Sequence, residues 1–145
     1  MKRVLFLCTG NSARSQMAEG ILRHFGKGGF EVFSAGTNPS AVNPLAVKVM
    51  AEAGVDISAQ YSKSVSEFLG QDFEFIITVC DRARESCPIF PGDPEQIHWS
   101  FPDPAAVAGA EEERLNAFRR TQAELLRRIQ LFIEAHPPKP NDSRA

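Results

Sequence analysis

The sequence has little of what marks several large classes of protein. No apolar run approaches the roughly 20 residues of a membrane-spanning helix. The first, Val4-Leu5-Phe6-Leu7-Cys8, holds five and follows Met1-Lys2-Arg3, too short for the apolar part of a secretion signal. Basic charge is not in excess: 16 Lys and Arg against 18 Asp and Glu leave a formal charge of -2 and a pI of about 5.9. A basic stripe that would hold nucleic acid or an anionic membrane surface is therefore not expected. Three cysteines are an odd number and too few for a disulfide framework, no CxxC pair occurs, and His24, His98 and His136 are scattered, which argues against a zinc module. The single tyrosine, Tyr61, and single tryptophan, Trp99, are expected to pack in the interior. These absences predict a cytoplasmic protein, a monomer with no nucleic-acid or membrane partner, no metal and no cofactor.

What is present fits one compact unit. A chain of 145 residues, 43% of them apolar, can bury one good core. We expect a single catalytic domain over residues 1–136 and a disordered tail over 137–145, which lacks an apolar face. The run at residues 3–7 reads as a strand closed by Thr9-Gly10-Asn11. Met17, Ile21, Leu22 and Phe25 then recur at helical spacing up to Gly26. Phe30 to Ala35 alternates as a second strand. Val42 to Ala53 reads as a helix with Leu45, Val49 and Ala53 on one face and Gly54 at its end. Phe73 to Val79 reads as a third strand and Ile97 to Ser100 as a short fourth. A last helix carries Leu115, Phe118, Leu125, Ile129, Phe132 and Ile133, with Glu111 to Glu113 near its positive end and Pro137-Pro138 as its stop.

Strands separated by helices require parallel pairing, so the predicted fold is α/β, a three-layer sandwich around a small, about four-stranded parallel sheet. Ligands of such sheets bind beyond the carboxyl ends of the strands. Cys8, Cys80 and Asp103 all fall on that rim.

The stretch Cys8-Thr9-Gly10-Asn11-Ser12-Ala13-Arg14-Ser15 has a coherent chemical meaning. Amides of a tight loop entering a helix converge on one point, where a tetrahedral oxyanion is a natural guest. Arg14 offers a planar fork for two of its oxygens. The same field favours a thiolate, so Cys8 is expected to be ionised and nucleophilic. Gly10 and Asn11 suit left-handed backbone, and Ser12 and Ser15 can donate within the loop, Ser15 to the Cys8 sulfur. The plainer alternative is a core thiol ending a strand and a surface arginine.

This loop resembles the phosphate-binding loop of the low-molecular-weight protein tyrosine phosphatase superfamily, and Gln16-Met17-Ala18-Glu19-Gly20 is similar to its thioredoxin-coupled arsenate reductase branch. The resemblance runs to about residue 135. It implies an enzyme of arsenical detoxification in which Cys8 attacks arsenate and Arg14 clamps it, with phosphate or sulfate as competing oxyanions. The segment Val79-Cys80-Asp81-Arg82-Ala83-Arg84-Glu85-Ser86-Cys87-Pro88 resembles the redox segment of those reductases. The implied relay forms a Cys8–Cys80 disulfide as arsenite leaves, then a Cys80–Cys87 disulfide that thioredoxin reduces. Two unrelated thiols, or two metal ligands, are the alternatives at these positions. The charged segment between Cys80 and Cys87 lacks an apolar face, which predicts rearrangement rather than a rigid helix.

In Phe101-Pro102-Asp103-Pro104, two prolines stiffen the backbone around an acid. In the superfamily an Asp-Pro pair supplies the general acid, and Asp103-Pro104 is the match after the fourth strand. Asp103 also reads as a helix N-terminal residue with Pro104 at the first helical position. Ala105 and Ala106 follow where tyrosine phosphatases of the superfamily carry aromatics. Some reductases of the branch bind potassium through residues corresponding to Asn11, Glu19, Ser34 and an aspartate. Lys63 stands at the aspartate's place, which predicts no dependence on potassium. The competing functions are a phosphomonoesterase, using the same loop, and a noncatalytic oxyanion or redox sensor.

Overall fold

The computed structural model describes residues 1–137, so all but the first residue of the expected tail lies outside the described residues. In chain order the elements are β1 (Lys2–Cys8), α1 (Arg14–Phe25), β2 (Phe30–Gly36), α2 (Pro44–Glu52), β3 (Phe75–Thr78), α3 (Asp81–Glu85), β4 (Glu95–His98) and α4 (Glu111–Ala135). Short 3-10 helices lie at Val65–Phe68 and Pro104–Ala106. The four strands form one parallel sheet in the order β2-β1-β3-β4, as the alternation of elements predicts.

Burial explains the sequence pattern of each strand. β1 is central, and Val4, Leu5, Phe6 and Leu7 are all fully buried, so its two faces must both be apolar and no alternation survives. β2 is an edge strand and does alternate, with Phe30 and Val32 buried and Glu31 exposed. The faces have different covers. Phe30 and Phe75 meet Phe132 of α4, and Phe6 reaches Trp99, which also meets Phe132. On the other side Phe33 meets Phe68 and Phe73, and Phe73 meets Phe90. Helix α1 packs on β1, β2 and α4, and α2 adds to α4, which completes the three layers.

Several boundaries differ from the sequence reading. α2 starts at Pro44, not Val42, because Asn43 caps it: its side chain accepts from the Leu45 amide at 2.8 Å. The buried face of α2 is Ala46, Val49 and Met50, since Ala53 already lies at the cap and is exposed. Phe73 leaves the line of β3 to join its aromatic cluster. β4 begins at Glu95, not Ile97, because an edge strand can pair while exposing its side chains. The segment after Cys80 is a short helix after all: Ala83 is fully buried and anchors α3.

The sheet delivers the N-terminal loop through one close contact. Cys8 pairs with Gly36 at the ends of β1 and β2, and a Cβ on Gly36 would stand 2.6 Å from the Thr9 carbonyl oxygen and 3.0 Å from the Asn11 amide. Gly36→Ala is therefore expected to cost about 1–3 kcal/mol in urea unfolding and to weaken phosphate binding, because the loop backbone must shift. Ile129→Val, a fully buried change in α4, should cost about 0.5–1.5 kcal/mol and leave phosphate affinity unaltered. Equal phosphate affinity in Gly36→Ala and wild type would show that the loop does not depend on this approach.

Candidate active site

The loop from Cys8 to Ala13 is shaped by where its carbonyls go. The Cys8, Thr9 and Gly10 carbonyls accept from the amides of Thr37 (3.2 Å), Asn38 (2.8 Å) and Ser40 (3.0 Å), and that of Ser12 from Asn43 (2.9 Å). The Asn11 carbonyl accepts from Gln16 Nε2 and the Ala13 carbonyl from the Met17 amide. In a trans peptide the N–H points opposite to the C=O. Carbonyls held outward on every residue from 8 to 13 thus turn the amides of residues 9–14 inward, making a concave donor surface for an anion.

Asn11 is the hinge of this arrangement. It alone among residues 8–15 adopts a left-handed backbone (φ 47°), which an L residue tolerates when its short side chain bonds locally. That side chain is fully buried. Its Nδ2 donates to Ser15 Oγ (2.9 Å) and Ser34 Oγ (3.0 Å), and its Oδ1 accepts from the Lys63 amide (3.0 Å) and Gln16 Nε2 (2.9 Å). Gly10, also expected to be left-handed, is not. The Ser15 hydroxyl, expected at the Cys8 sulfur, is instead engaged by Asn11 behind the loop.

In front of the loop lies a cleft lined by Cys8, Thr9, Gly10, Ser12, Ala13, Arg14, Cys80, Asp81, Arg82, Asp103 and Ala105. Topology thus brings the strand-end cysteines and Asp103 together as expected. Arg14 Nη1 donates to the Phe101 carbonyl at 2.8 Å, tying the loop to the chain just before Asp103. Asp103 fills both of its anticipated positions: it lines the cleft, and its Oδ1 accepts from the Ala105 amide (2.9 Å) as the cap of the 3-10 helix.

The thiols divide their protons unexpectedly. A hydrogen bond between Cys8 and Cys80 and the burial of Cys8 push the Cys8 thiol up. The same bond, with help from the Thr9 hydroxyl (3.4 Å), the Ala83 amide and the Arg14 charge, pulls Cys80 down to about 5. The opposed directions of the two shifts favour the proton on Cys8 and the charge on Cys80. The expectation of a Cys8 thiolate considered the loop without this neighbour.

Cys87 is elsewhere. It is half-buried, its thiol raised by that burial, and it borders a separate cavity with Thr78, Arg84 and His98 on the far side of α3. The N-terminus of α3 is fastened by Asp81, which accepts from His98 Nε2 (2.8 Å) and Ser100 Oγ (3.3 Å), while His98 Nδ1 meets Thr78 Oγ1 (2.7 Å).

Behind the loop, Lys63 is 8% exposed, with its Nζ 3.6 Å from Glu19 Oε1 and 3.1 Å from the Tyr61 carbonyl. Ser34 donates to the same Glu19 oxygen. A fixed ammonium beside Glu19 leaves these residues a poor fit for potassium. Tyr61, expected to pack inside, is exposed, its ring 4.8 Å below the Lys63 ammonium. Trp99 is buried as expected. The support from Gln60 and Ser62 was not foreseen: Gln60 Nε2 donates to Gln16 Oε1 (2.7 Å) and Ser62 Oγ to the Gly10 carbonyl (3.0 Å). Polar residues on a loop carried no pattern that would have marked them.

A strand-end thiol behind a cradle of inward amides, on a four-stranded parallel sheet, defines an oxyanion-binding enzyme of the thiol-nucleophile kind. The chain belongs to the low molecular weight phosphotyrosine protein phosphatase family, whose model matches residues 3–139. It is 44% identical over 133 residues to an arsenate reductase of Halalkalibacterium halodurans, covering 92% of this chain and 96% of that protein. A solved arsenate reductase in its oxidized state superposes with a TM-score of 0.80 at 32% identity, over 93% of this chain and 98% of that one. A thioredoxin-dependent arsenate reductase of Corynebacterium glutamicum gives 0.62 at 30% identity, over 91% of this chain and 63% of the other.

Two outcomes are expected. Ultraviolet thiolate absorbance of the reduced protein should show one group titrating at about pH 5, absent in Cys80→Ser and shifted upward in Cys8→Ala, which lacks the leading donor. Between that value and the ordinary 9.0, the unfolded chain holds a proton that folded Cys80 lacks, so this group's contribution to stability is lost as pH falls through about 5. A signal that survives Cys80→Ser would place the charge on Cys8. Second, any oxyanion turnover should be the same in potassium and sodium salts at equal ionic strength, and steep activation by potassium alone would contradict the role given to Lys63.

Proposed function

We propose that the protein is an arsenate reductase that turns arsenate into arsenite and passes the oxidation through Cys8, Cys80 and Cys87 to thioredoxin. The observation that carries this reading is that two cysteines, Cys8 and Cys80, line the same anion cleft. A phosphatase needs one cysteine. A second thiol in the same cleft, its pKa lowered, is what a two-electron reduction requires.

The loop amides and Arg14 bind the arsenate oxygens, and Cys8 attacks arsenic. The Cys8 proton, relayed by Asp103, joins the departing hydroxyl, so a sulfur–arsenic bond forms and water leaves. Cys80 is still a thiolate and attacks the Cys8 sulfur. The sulfur–arsenic bond breaks with its electron pair going to arsenic, arsenite takes up protons and departs, and a Cys8–Cys80 disulfide remains. Cys87, deprotonated as it leaves its half-buried site, attacks Cys80 and expels the Cys8 thiolate. The Cys80–Cys87 disulfide is then reduced by the dithiol of thioredoxin, which becomes a disulfide in turn.

The last transfer needs α3 to open, because disulfide geometry demands Cα atoms within about 7 Å. A helix of five residues is too short to hold without its tertiary anchors, here Ala83 and the Asp81 bonds. Free thiols throughout suit the reducing cytoplasm, where we place the enzyme, and we take it to work as a monomer. Among the described residues no helix is long and apolar enough to cross a membrane.

Hydrolysis of small phosphate esters is the second reading, since Cys8, Arg14 and Asp103 serve it equally. Ala105 at the cleft mouth offers no aromatic wall for a tyrosine ring. The test couples arsenate to NADPH through thioredoxin and thioredoxin reductase, beside hydrolysis of an aryl phosphate. Cys80→Ser and Cys87→Ser should each abolish arsenate turnover and spare the hydrolysis, while Cys8→Ser abolishes both. Asp103→Asn should slow the first chemical step by about 100-fold or more. Full arsenate turnover in either Cys80→Ser or Cys87→Ser would overturn the relay.

A further inference from the structure

The cleft holds a second guanidinium that the relay described above does not use. Arg82, the second residue of α3, lines the cleft with Arg14, Cys80 and Asp103. Among the described residues its side chain forms no hydrogen bond or ion pair, whereas Arg14 is tied to the Phe101 carbonyl. The nearest acid in sequence, Asp81, forms no ion pair with it, its Oδ1 accepting instead from His98 and Ser100. Arg84, two residues further on, borders the separate cavity beside Cys87. The two arginines of one short helix thus face different cavities, and one of them offers an uncommitted charge to the anion.

We propose that Arg82 is the second arginine of the oxyanion site and, because it rides on α3, couples occupancy of the cleft to the order of the relay segment. The proposal rests on the three-cysteine reading of the function. A doubly charged arsenate held between the loop amides and Arg82 pins the first turn of α3, which keeps Cys80 facing Cys8 and apart from Cys87. Arsenite leaves as an uncharged acid at neutral pH. Reduction therefore removes the charge that Arg82 holds, and α3 is released to open at the moment when Cys87 must reach Cys80. The chemical outcome of one step becomes the signal for the next.

Two measurements test this without arsenate. In titration calorimetry of the reduced protein with inorganic phosphate, Arg82→Gln should raise Kd roughly fivefold, the size of one partly exposed charge contact. Arg82→Lys should keep most of the affinity. Arg84→Gln removes the same charge from the same helix and should change Kd by less than about twofold. The second measurement uses Cys8→Ser, in which Cys80 and Cys87 are the only thiols. Diamide takes two electrons and two protons from that pair, leaving the disulfide and a hydrazine. Phosphate at a level that saturates each protein should slow disulfide formation several-fold in Cys8→Ser and have no effect when Arg82→Gln is added. Equal phosphate affinity in wild type, Arg82→Gln and Arg84→Gln overturns the binding role. Undiminished slowing by phosphate after Arg82→Gln overturns the coupling. Failure of wild type to reduce arsenate would instead count against the proposed function and leave both readouts interpretable.

Discussion

The outward bonding of six consecutive carbonyls, from Cys8 to Ala13, is the constraint on which the site depends. An anion cradle is a set of peptide groups all turned one way, and such an arrangement is unfavourable by itself because the donors face one another. It persists here because the acceptors on the other side are satisfied. The turn after β2 supplies four of the donors, and Gln16 and α1 supply the rest. Asn11 absorbs the backbone reversal, and its buried amide has all its bonding capacity filled, so neither orientation nor conformation is left free.

The second organising feature is the opposed shift of the Cys8 and Cys80 thiols. A lone cysteine in such a loop would be expected to ionise, whereas here a second sulfur and burial raise Cys8 while the donors around Cys80 lower it. The arrangement suits a reduction. The group that attacks second is the one whose thiol is lowered, and the group that attacks first carries a proton that the leaving oxygen needs. The raised Cys87 thiol fits the same order, since a third thiolate held ready would compete for Cys80 too early.

Much of this was legible in the sequence. A short apolar run leading to Cys8 read as a strand, and the Gly-Asn turn into a 3.6-residue pattern marked a strand, loop and helix, as observed. Parallel topology then placed Cys80 and Asp103 on the rim with Cys8. What was hidden depends on contacts between distant residues. The ionisation of Cys8 is set by a partner 72 positions away, and the support from Gln60 to Lys63 comes through main-chain and amide groups that any loop possesses. The helix after Cys80 escaped because one buried alanine, Ala83, anchors it, too small a feature to register as an apolar face.

Helix α3 stands as a wall between two cavities, one holding Cys8 and Cys80 and the other bordered by Cys87. The chain therefore has separate doors for the species that takes electrons and the species that brings them. A small anion and a folded protein need not wait for each other to vacate a common entrance. On the proposed relay, opening of that wall is the one event on which both depend.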